Sequence, residues 1–143
     1  MGTLLDRRRA GVLLHPTSLP GDSYCGTFGA HARRFIDLIA DAGLQIWQVL
    51  PLGPTHDDMC PYQCLSVHAG NPDLVDLQWL VERGWLQPGE ADTGRHSPGA
   101  KRRALEQASD RFQDRSGAPM AQEYQEFLDD SAFWLEDYAR FQA

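Results

Sequence analysis

The sequence has little cysteine, almost no lysine and no long apolar run. Its 143 residues include three cysteines, and Lys101 is the only lysine among 13 basic residues. No stretch approaches the ~20 apolar residues of a membrane span, and the first residues, MGTLLDRRRAG, hold no apolar segment of signal-peptide length. An odd, sparse set of cysteines suits reduced thiols. These absences predict a cytoplasmic chain that needs neither a membrane nor disulfides.

The charge balance argues against a protein that binds nucleic acids or anionic membranes. Twenty acidic residues against 13 basic ones give a net charge of -7, which repels phosphate backbones and anionic lipid surfaces. The content of 42% hydrophobic and 23% charged residues is typical of a globular protein. We therefore expect a folded domain that binds no nucleic acid and no membrane.

The beginning of the chain has the pattern of a βαβ unit. Gly11 to Leu14 is a short apolar run, and Ile46 to Leu52 is a second, continuous one bounded by Gly and Pro. Between them, residues 30 to 42 have helical periodicity that stops at Gly43, with apolar residues at Phe35, Leu38, Ile39 and Ala42. Two strands with a crossover helix predict parallel pairing and the α/β class.

The rest of the chain is predicted to be loops and helices. Pro54 to Pro72 shows little periodicity, and connections this long in a compact domain are usually functional. A helix is predicted over Leu74 to Arg83, with Asp73 as its N-cap and Gly84 at its end. Residues 87 to 99 are rich in Gly and Pro and predict a linker or surface loop. Two further helices are predicted over Ala100 to Arg115 and Met120 to Gln142, the second apolar almost all round.

Five separated motifs resemble the 4-alpha-glucanotransferases of the amylomaltase type, also called disproportionating enzymes. They are AGVLLHPTSLPG at 10 to 21, WQVLPLGPT at 47 to 55, PYQ at 61 to 63, AGNP at 69 to 72 and WLEDYARF at 134 to 141. They occur in the family's order and at similar spacing, over nearly the whole chain. The resemblance is therefore specific.

The resemblance implies a fold and an activity. Family members transfer a 4-alpha-glucan segment to the 4-hydroxyl of an acceptor glucan or glucose on a (β/α)8 barrel, without a metal or cofactor. Residues 1 to 143 would be the incomplete N-terminal portion of one such barrel domain, holding its first two strands, the crossover helix, outer helices and an inserted subdomain at 54 to 99. The expected partners are maltooligosaccharides and other 4-alpha-glucans.

The resemblance also suggests substrate-binding residues in the long loop. Tyr62 matches a family Tyr that contacts the glucan near the cleavage point, and an aromatic ring suits the C–H faces of glucose. Gln63 and Asn71 have two interpretations, as amide hydrogen-bonders to sugar hydroxyls or as residues that fix turns. We expect Tyr62, Gln63 and Asn71 to bind substrate.

The loop departs from the commoner family pattern, which has GYGDSPYQSFSAFAGNP where this chain has HDDMCPYQCLSVHAGNP. Asp57 replaces an aromatic residue of a second site for long glucans, and Cys60 replaces a Ser close to the sugar path. A thiol is a poorer hydrogen-bonder than a hydroxyl. The family's binding of long glucans and its subsite detail are therefore not carried over to this loop.

Retention of configuration needs two carboxylates about 5 to 5.5 Å apart. Asp57 and Asp58 match no catalytic position of the family, whose carboxylates lie on later strands of the barrel. We therefore expect no catalytic residue within 143 residues, and a truncated, inactive piece of the transferase.

Two other functions stay open on the sequence. One is a stand-alone glucan-binding or interaction module that uses the Tyr62 loop without catalysis. The other is a small metal-binding protein, since the loop contains a regular series of possible zinc ligands at His56, Cys60, Cys64 and His68. Because Pro61 breaks any helix that would align these four side chains, we expect no metal site.

Overall fold

The computed structural model describes residues 7–21, 23–115 and 117–143. Two short strands, two 3-10 turns and five helices are present in this part of the chain. In chain order they are β1 (Gly11–Leu13), a turn at Pro16–Ser18, α1 (Ala30–Asp41), β2 (Ile46–Gln48), a turn at Pro72–Leu74, α2 (Leu77–Glu82), α3 (Pro88–Gly94), α4 (Pro98–Arg115) and α5 (Ala118–Gln142).

The two strands are parallel neighbours, which confirms the predicted pairing. Gly11 lies opposite Ile46 in a two-stranded sheet, and α1 connects the strands. The helix packs on β2 through an edge-to-face contact of Phe35 with Trp47, whose ring centroids are 4.9 Å apart. α1 ends at Asp41, and the predicted stop at Gly43 follows its C-cap Ala42, where a φ of 77° is accessible to Gly at little steric cost. The unit is α/β, as expected.

Both strands are shorter than the apolar runs that predicted them. The last hydrogen bond between them runs from the Leu14 N–H to the Gln48 carbonyl, at 3.1 Å. Beyond it the first segment reaches Pro16, which has no N–H to donate and begins a 3-10 turn. The residues after Gln48 therefore lose their partner, and β2 ends at Gln48 rather than at Leu52.

The predicted start of α2 is wrong by three residues. Its N-cap is Asp76, whose carboxylate accepts the Gln78 N–H at 3.3 Å, and not Asp73. Leu74 belongs instead to the preceding 3-10 turn, which Asn71 caps. Residues 72 to 74, which the helical pattern assigned to the start of α2 and its cap, thus form a local turn capped by Asn71. The predicted end at Gly84 is confirmed.

The interpretation of residues 87–99 as a loop is also wrong. They form α3 and the start of α4. Pro88 stands in the first turn of α3, where its missing N–H costs nothing, and Glu90 reaches back to accept the Gln87 N–H at 2.8 Å. Glycine and proline here mark a helix N-terminus.

The hydrophobic core lies between α2, α3 and α4. Its buried members are Leu77, Leu80, Leu86, Ala91, Ala104 and Ala108. Trp85 packs against this core and carries an edge-to-face ring contact on to Phe112, which contacts Tyr124 of α5 in the same way. The two predicted C-terminal helices are confirmed and begin two residues earlier than expected. None of the described helices is long and apolar enough to cross a membrane.

Candidate functional site

A histidine ties together the loops that leave the two strands. His15 Nδ1 lies 2.7 Å from the Thr17 hydroxyl, and Nε2 lies 3.3 Å from the Pro51 carbonyl. A carbonyl only accepts, so Nε2 carries the hydrogen and Nδ1 accepts from Thr17. Because parallel strands have their carboxyl ends at one edge of the sheet, this bridge fixes the start of the long loop beside the first loop.

The long loop after β2 is folded back on itself. Thr55 and Cys64 form an isolated antiparallel bridge, and the Leu65 N–H donates to the Pro54 carbonyl at 2.7 Å. At its base the Asn71 N–H donates to the Leu52 carbonyl at 2.8 Å. The segment from 56 to 63 is therefore a tip held on a narrow neck.

A tight turn shapes the tip. Met59 has a φ of 54°, and its N–H donates to the His56 carbonyl at 2.9 Å. The Asp58 carboxylate accepts the Cys60 N–H at 3.0 Å. Asp58 therefore fixes this turn, and neighbouring Asp57 is exposed.

Tyr62 is the most accessible aromatic residue of the loop. Its side chain is 74% exposed, and Gln63 beside it is exposed as well. No ring contact or hydrogen bond occupies Tyr62 in the described part of the chain. Its flat face is thus free to pack on a ligand.

Asn71 lies at the base of the loop, where it caps a turn. It is buried, and its Oδ1 accepts the Asp73 N–H at 2.9 Å as the cap of the turn at Pro72–Leu74. Of the two interpretations of Asn71, this geometry gives the turn-fixing one. Among the described residues no hydrogen bond joins Asn71 to Tyr62 or Gln63, and a substrate-binding role of the three stays a prediction.

The four possible zinc ligands are not brought together into one site in the described part of the chain. The Cys64 thiol donates to the Pro61 carbonyl at 3.2 Å, and the His68 ring stacks on Trp134 with 5.7 Å between ring centroids. Residues 7–21, 23–115 and 117–143 contain no group of three His, Cys, Asp or Glu side chains placed to hold a metal ion. The geometry gives the metal-binding alternative no support.

Two clefts border the loop. One of about 390 Å³ lies between the tip and the end of α5, where Thr55 and Met59 face Tyr138 and Gln142. The other, of about 480 Å³, opens at the base of the loop and is lined by Leu52, Asn71, Phe28 and Trp79, among others. Asn71 lines both clefts, whereas Tyr62 lines neither of them.

Sequence reasoning missed a buried polar cluster at the base of the loop. The phenol of Tyr24 and the ammonium of Lys101 both donate to Asp73, and the Cys25 thiol lies 3.7 Å from its carbonyl. Burial raises the pKa of Tyr24 and Cys25 and lowers the pKa of Lys101. The one signal in the sequence was that Lys101 stands alone among twelve arginines.

Comparison with known proteins identifies the family. A family model for 4-alpha-glucanotransferases matches residues 14–143. The chain belongs to this family. It is 43% identical to a 4-alpha-glucanotransferase of Thermus thermophilus over 143 aligned positions, which cover 95% of this chain and 28% of that protein. It is 40% identical to a 4-alpha-glucanotransferase of Synechocystis, with coverage of 98% and 30%.

A solved structure agrees with the sequence relatives. The amylomaltase of Streptococcus agalactiae, solved in complex with acarbose, is similar to this chain with a TM-score of 0.86 and 32% identity. The match covers 96% of this chain and 29% of the amylomaltase. The fold of the described residues is therefore that of part of a glucanotransferase, and the chain spans under a third of the length of these relatives.

Proposed function

We propose that the chain is the N-terminal portion of a single glucanotransferase barrel domain, with residues 54–99 as a subdomain inserted after its second strand. The activity of the whole domain is transfer of a 4-alpha-glucan segment to the 4-hydroxyl of an acceptor glucan or glucose. Maltooligosaccharides are the substrates, and the cytoplasm is the compartment. Family membership and the parallel pair of β1 and β2 support this proposal.

The observation that carries the proposal is the presentation of Tyr62. Functional residues of parallel α/β folds cluster in the loops at the carboxyl ends of the strands, and Tyr62 lies in such a loop with its ring free. The C–H face of a glucose unit packs on an apolar ring while its hydroxyls stay available for hydrogen bonds. Exposed Gln63 supplies an amide donor and acceptor next to it.

The chain by itself binds glucan without transferring it. Retaining transfer needs a nucleophilic carboxylate and an acid/base carboxyl about 5 to 5.5 Å apart. Asp58 is engaged in its own turn, and Asp57 is its exposed chain neighbour. The catalytic carboxylates of the family belong to later strands of the barrel, so we assign no catalytic residue here.

Incubation of the purified chain with maltotriose tests this function. We expect saturable binding by saturation-transfer NMR, with no glucose or maltopentaose formed, and the same result after dialysis against a chelator. Transfer products from a preparation free of other glucanotransferases would contradict the assignment of catalysis to other residues. Absence of any binding would contradict the glucan-contacting role itself. Binding that disappears on chelation would favour the metal-binding alternative.

A further inference from the structure

Lys101 is the most deeply buried large side chain among the described residues. It lies on α4 and is 1% exposed, although lysine is among the residues least often found inside proteins. Its ammonium donates a short hydrogen bond to the backbone carbonyl of Asp73. Placing a cation there has a desolvation cost that hydrocarbon packing would not have. The position therefore calls for a hydrogen-bond donor as well as for volume.

Asp73 also receives contacts from the loop that follows β1. The Tyr24 hydroxyl donates to its carboxylate, and the Cys25 thiol approaches its carbonyl at 3.7 Å. Its own N–H donates to Asn71 Oδ1 at 2.9 Å. The first loop, the base of the long loop and α4 thus meet at Asp73.

The charges around Lys101 oppose the effect of its burial without cancelling it. Burial lowers the pKa of Lys101, and the neighbouring Cys25, Asp73 and Asp76 act in the other direction. No other lysine exists in the chain to take over this contact. The nearest arginine in sequence, Arg102, is exposed and pairs with Glu106 at 3.4 Å.

Asp73 lies at the base of the long loop, so its hydrogen bond with Lys101 affects how that loop is held. Asp73 follows Asn71, whose N–H closes the neck of the long loop on Leu52, and Tyr62 lies at the tip of that loop. Fixing the Asp73 carbonyl to a long helix fixes one of the two chain ends on which the tip depends. The Pro51 end is fixed by His15 in the same manner.

We propose that Lys101 is a positioning residue for glucan binding, which anchors the base of the 54–71 loop through the Asp73 carbonyl and so holds Tyr62 in place. This inference rests on the proposed function. Lys101 touches no glucan itself. It acts through the loop.

The test compares Lys101→Met, Lys101→Arg and the control Arg102→Met in the full 143-residue chain. Methionine keeps much of the apolar volume and removes the donor, whereas arginine keeps charge and donor. Amide hydrogen exchange is followed at Asn71 and Leu65 in the loop and at Leu14 in the sheet. Maltoheptaose affinity is measured on the same proteins by NMR titration.

We expect Lys101→Met to speed exchange at Asn71 and Leu65 at least tenfold, to leave Leu14 unchanged, and to weaken maltoheptaose binding at least fivefold. Lys101→Arg should recover part of both losses, and Arg102→Met should match the parent chain. Equal acceleration at Leu14 would show general destabilisation and would overturn the proposal. A methionine variant that binds as well as the arginine variant would also overturn it.

A second variant decides the matter if Lys101→Met does not fold. Tyr24→Phe removes the donor to the Asp73 carboxylate and keeps the ring, so exchange should rise at Asn71 by a smaller factor and stay constant at Leu14. Unchanged exchange at Asn71 would contradict the anchoring role of the cluster. If the parent chain binds no maltoheptaose, the proposed function fails, and the exchange pattern alone then decides whether Lys101 anchors the loop.

Discussion

The helices α2 to α4 and the β1–α1–β2 unit differ in how far their large apolar side chains are buried. In the helical region, Leu77 and Leu80 of α2 and Leu86 of the α2–α3 connection are buried in one core. In the strand unit, Leu13 and Leu38 are exposed by 53% and 64%. The helices α2 to α4 therefore enclose a hydrophobic core, whereas the β1–α1–β2 unit has apolar side chains exposed on its surface. We therefore expect α2 to α4 to contribute most of the stability of the described chain.

The difference follows from architecture. Three helices can bury their apolar stripes on each other, whereas a two-stranded parallel sheet has two open edges and requires cover on both faces. Relatives more than three times as long have the chain needed to supply that cover. We propose that the outward face of the strand unit is the surface on which further strands and helices of the barrel pack.

The largest expected effect comes from a buried leucine of the helical region, compared with an exposed leucine of the strand unit. Leu86→Ala removes a side chain that is 2% exposed and should lower the free energy of unfolding by about 2 to 5 kcal/mol. Leu38→Ala should change it by no more than about 0.5 kcal/mol, because that side chain is already in solvent. Urea unfolding followed by circular dichroism measures both. Equal losses would break the comparison.

A glycine in β1 tests whether the strand unit opens independently of the helices. A Cβ at Gly11 would lie 2.6 Å from both the Cβ and the carbonyl oxygen of Ile46, so Gly11→Ala forces the strands apart. We expect a cost of about 1 to 3 kcal/mol that is confined to the strand pair. Exchange protection of the Leu14 amide should be lost while amides of α4 keep theirs. Simultaneous loss in α4 would show one cooperative unit.

The exposed apolar surface should make the chain self-associate at high concentration. Patches of more than a few hundred Å² are unusual on monomers, and the net charge of -7 favours soluble oligomers over precipitate. Light scattering should show a mass above 16.0 kDa that falls toward the monomer in Leu38→Lys. The matched control is Val67→Lys in the long loop, which should not shift the mass. A monodisperse monomer would mean that the strand unit needs no cover.

The smallest expected effect concerns an ion pair in the helical region. Arg111 donates to both Glu90 oxygens at 2.6 and 2.7 Å, and this hydrogen bonding, with the Gln87 N–H, lowers the pKa of Glu90 to about 2. A depressed carboxyl pKa adds stability above the ordinary value of 4.5, and that stability is lost as pH falls toward 2.

Glu90→Gln should therefore lower the melting temperature by a few degrees at pH 7, with a difference that shrinks between pH 5 and pH 2. Glu136→Gln is the control, because its pair with Arg140 is exposed on both sides and such pairs contribute little. A pH-independent difference for Glu90→Gln would assign the effect to packing.

The strand unit could be predicted from sequence because its signals are local. An apolar run, a helical period and a stop at Gly43 lie within consecutive residues. The start of α2 could not, because Asp73 and Asp76 both have the chemistry of a cap, and the turn at Pro72–Leu74 leaves only Asp76 at the start of the helix. α3 was missed because Gln87 to Glu90 was interpreted by its Gly and Pro content alone.

The candidate site was predictable only in part. Tyr62 was suggested by family resemblance, and the structure adds that its ring is exposed. The second interpretation of Asn71, as a turn-fixing residue, could be given from an Asn before Pro, and the observed cap matches it. Nothing local joins Lys101 to Asp73, which is 28 residues away, so that contact depends on the packing of α4 and lies beyond sequence patterns.

The central claim is that this member of the 4-alpha-glucanotransferase family contacts glucan through the tip of the 54–71 loop, and a maltoheptaose titration followed by amide NMR tests it most directly. We expect shifts centred on residues 61–64. Tyr62→Ala should weaken binding by roughly tenfold, which corresponds to about 1.4 kcal/mol for one lost aromatic contact. The control Val67→Ala, at an exposed position of the same loop, should leave binding unchanged. Shifts that instead centre on the cleft of Phe28 and Trp79, or equal affinities of the Tyr62 and Val67 variants, would contradict the account.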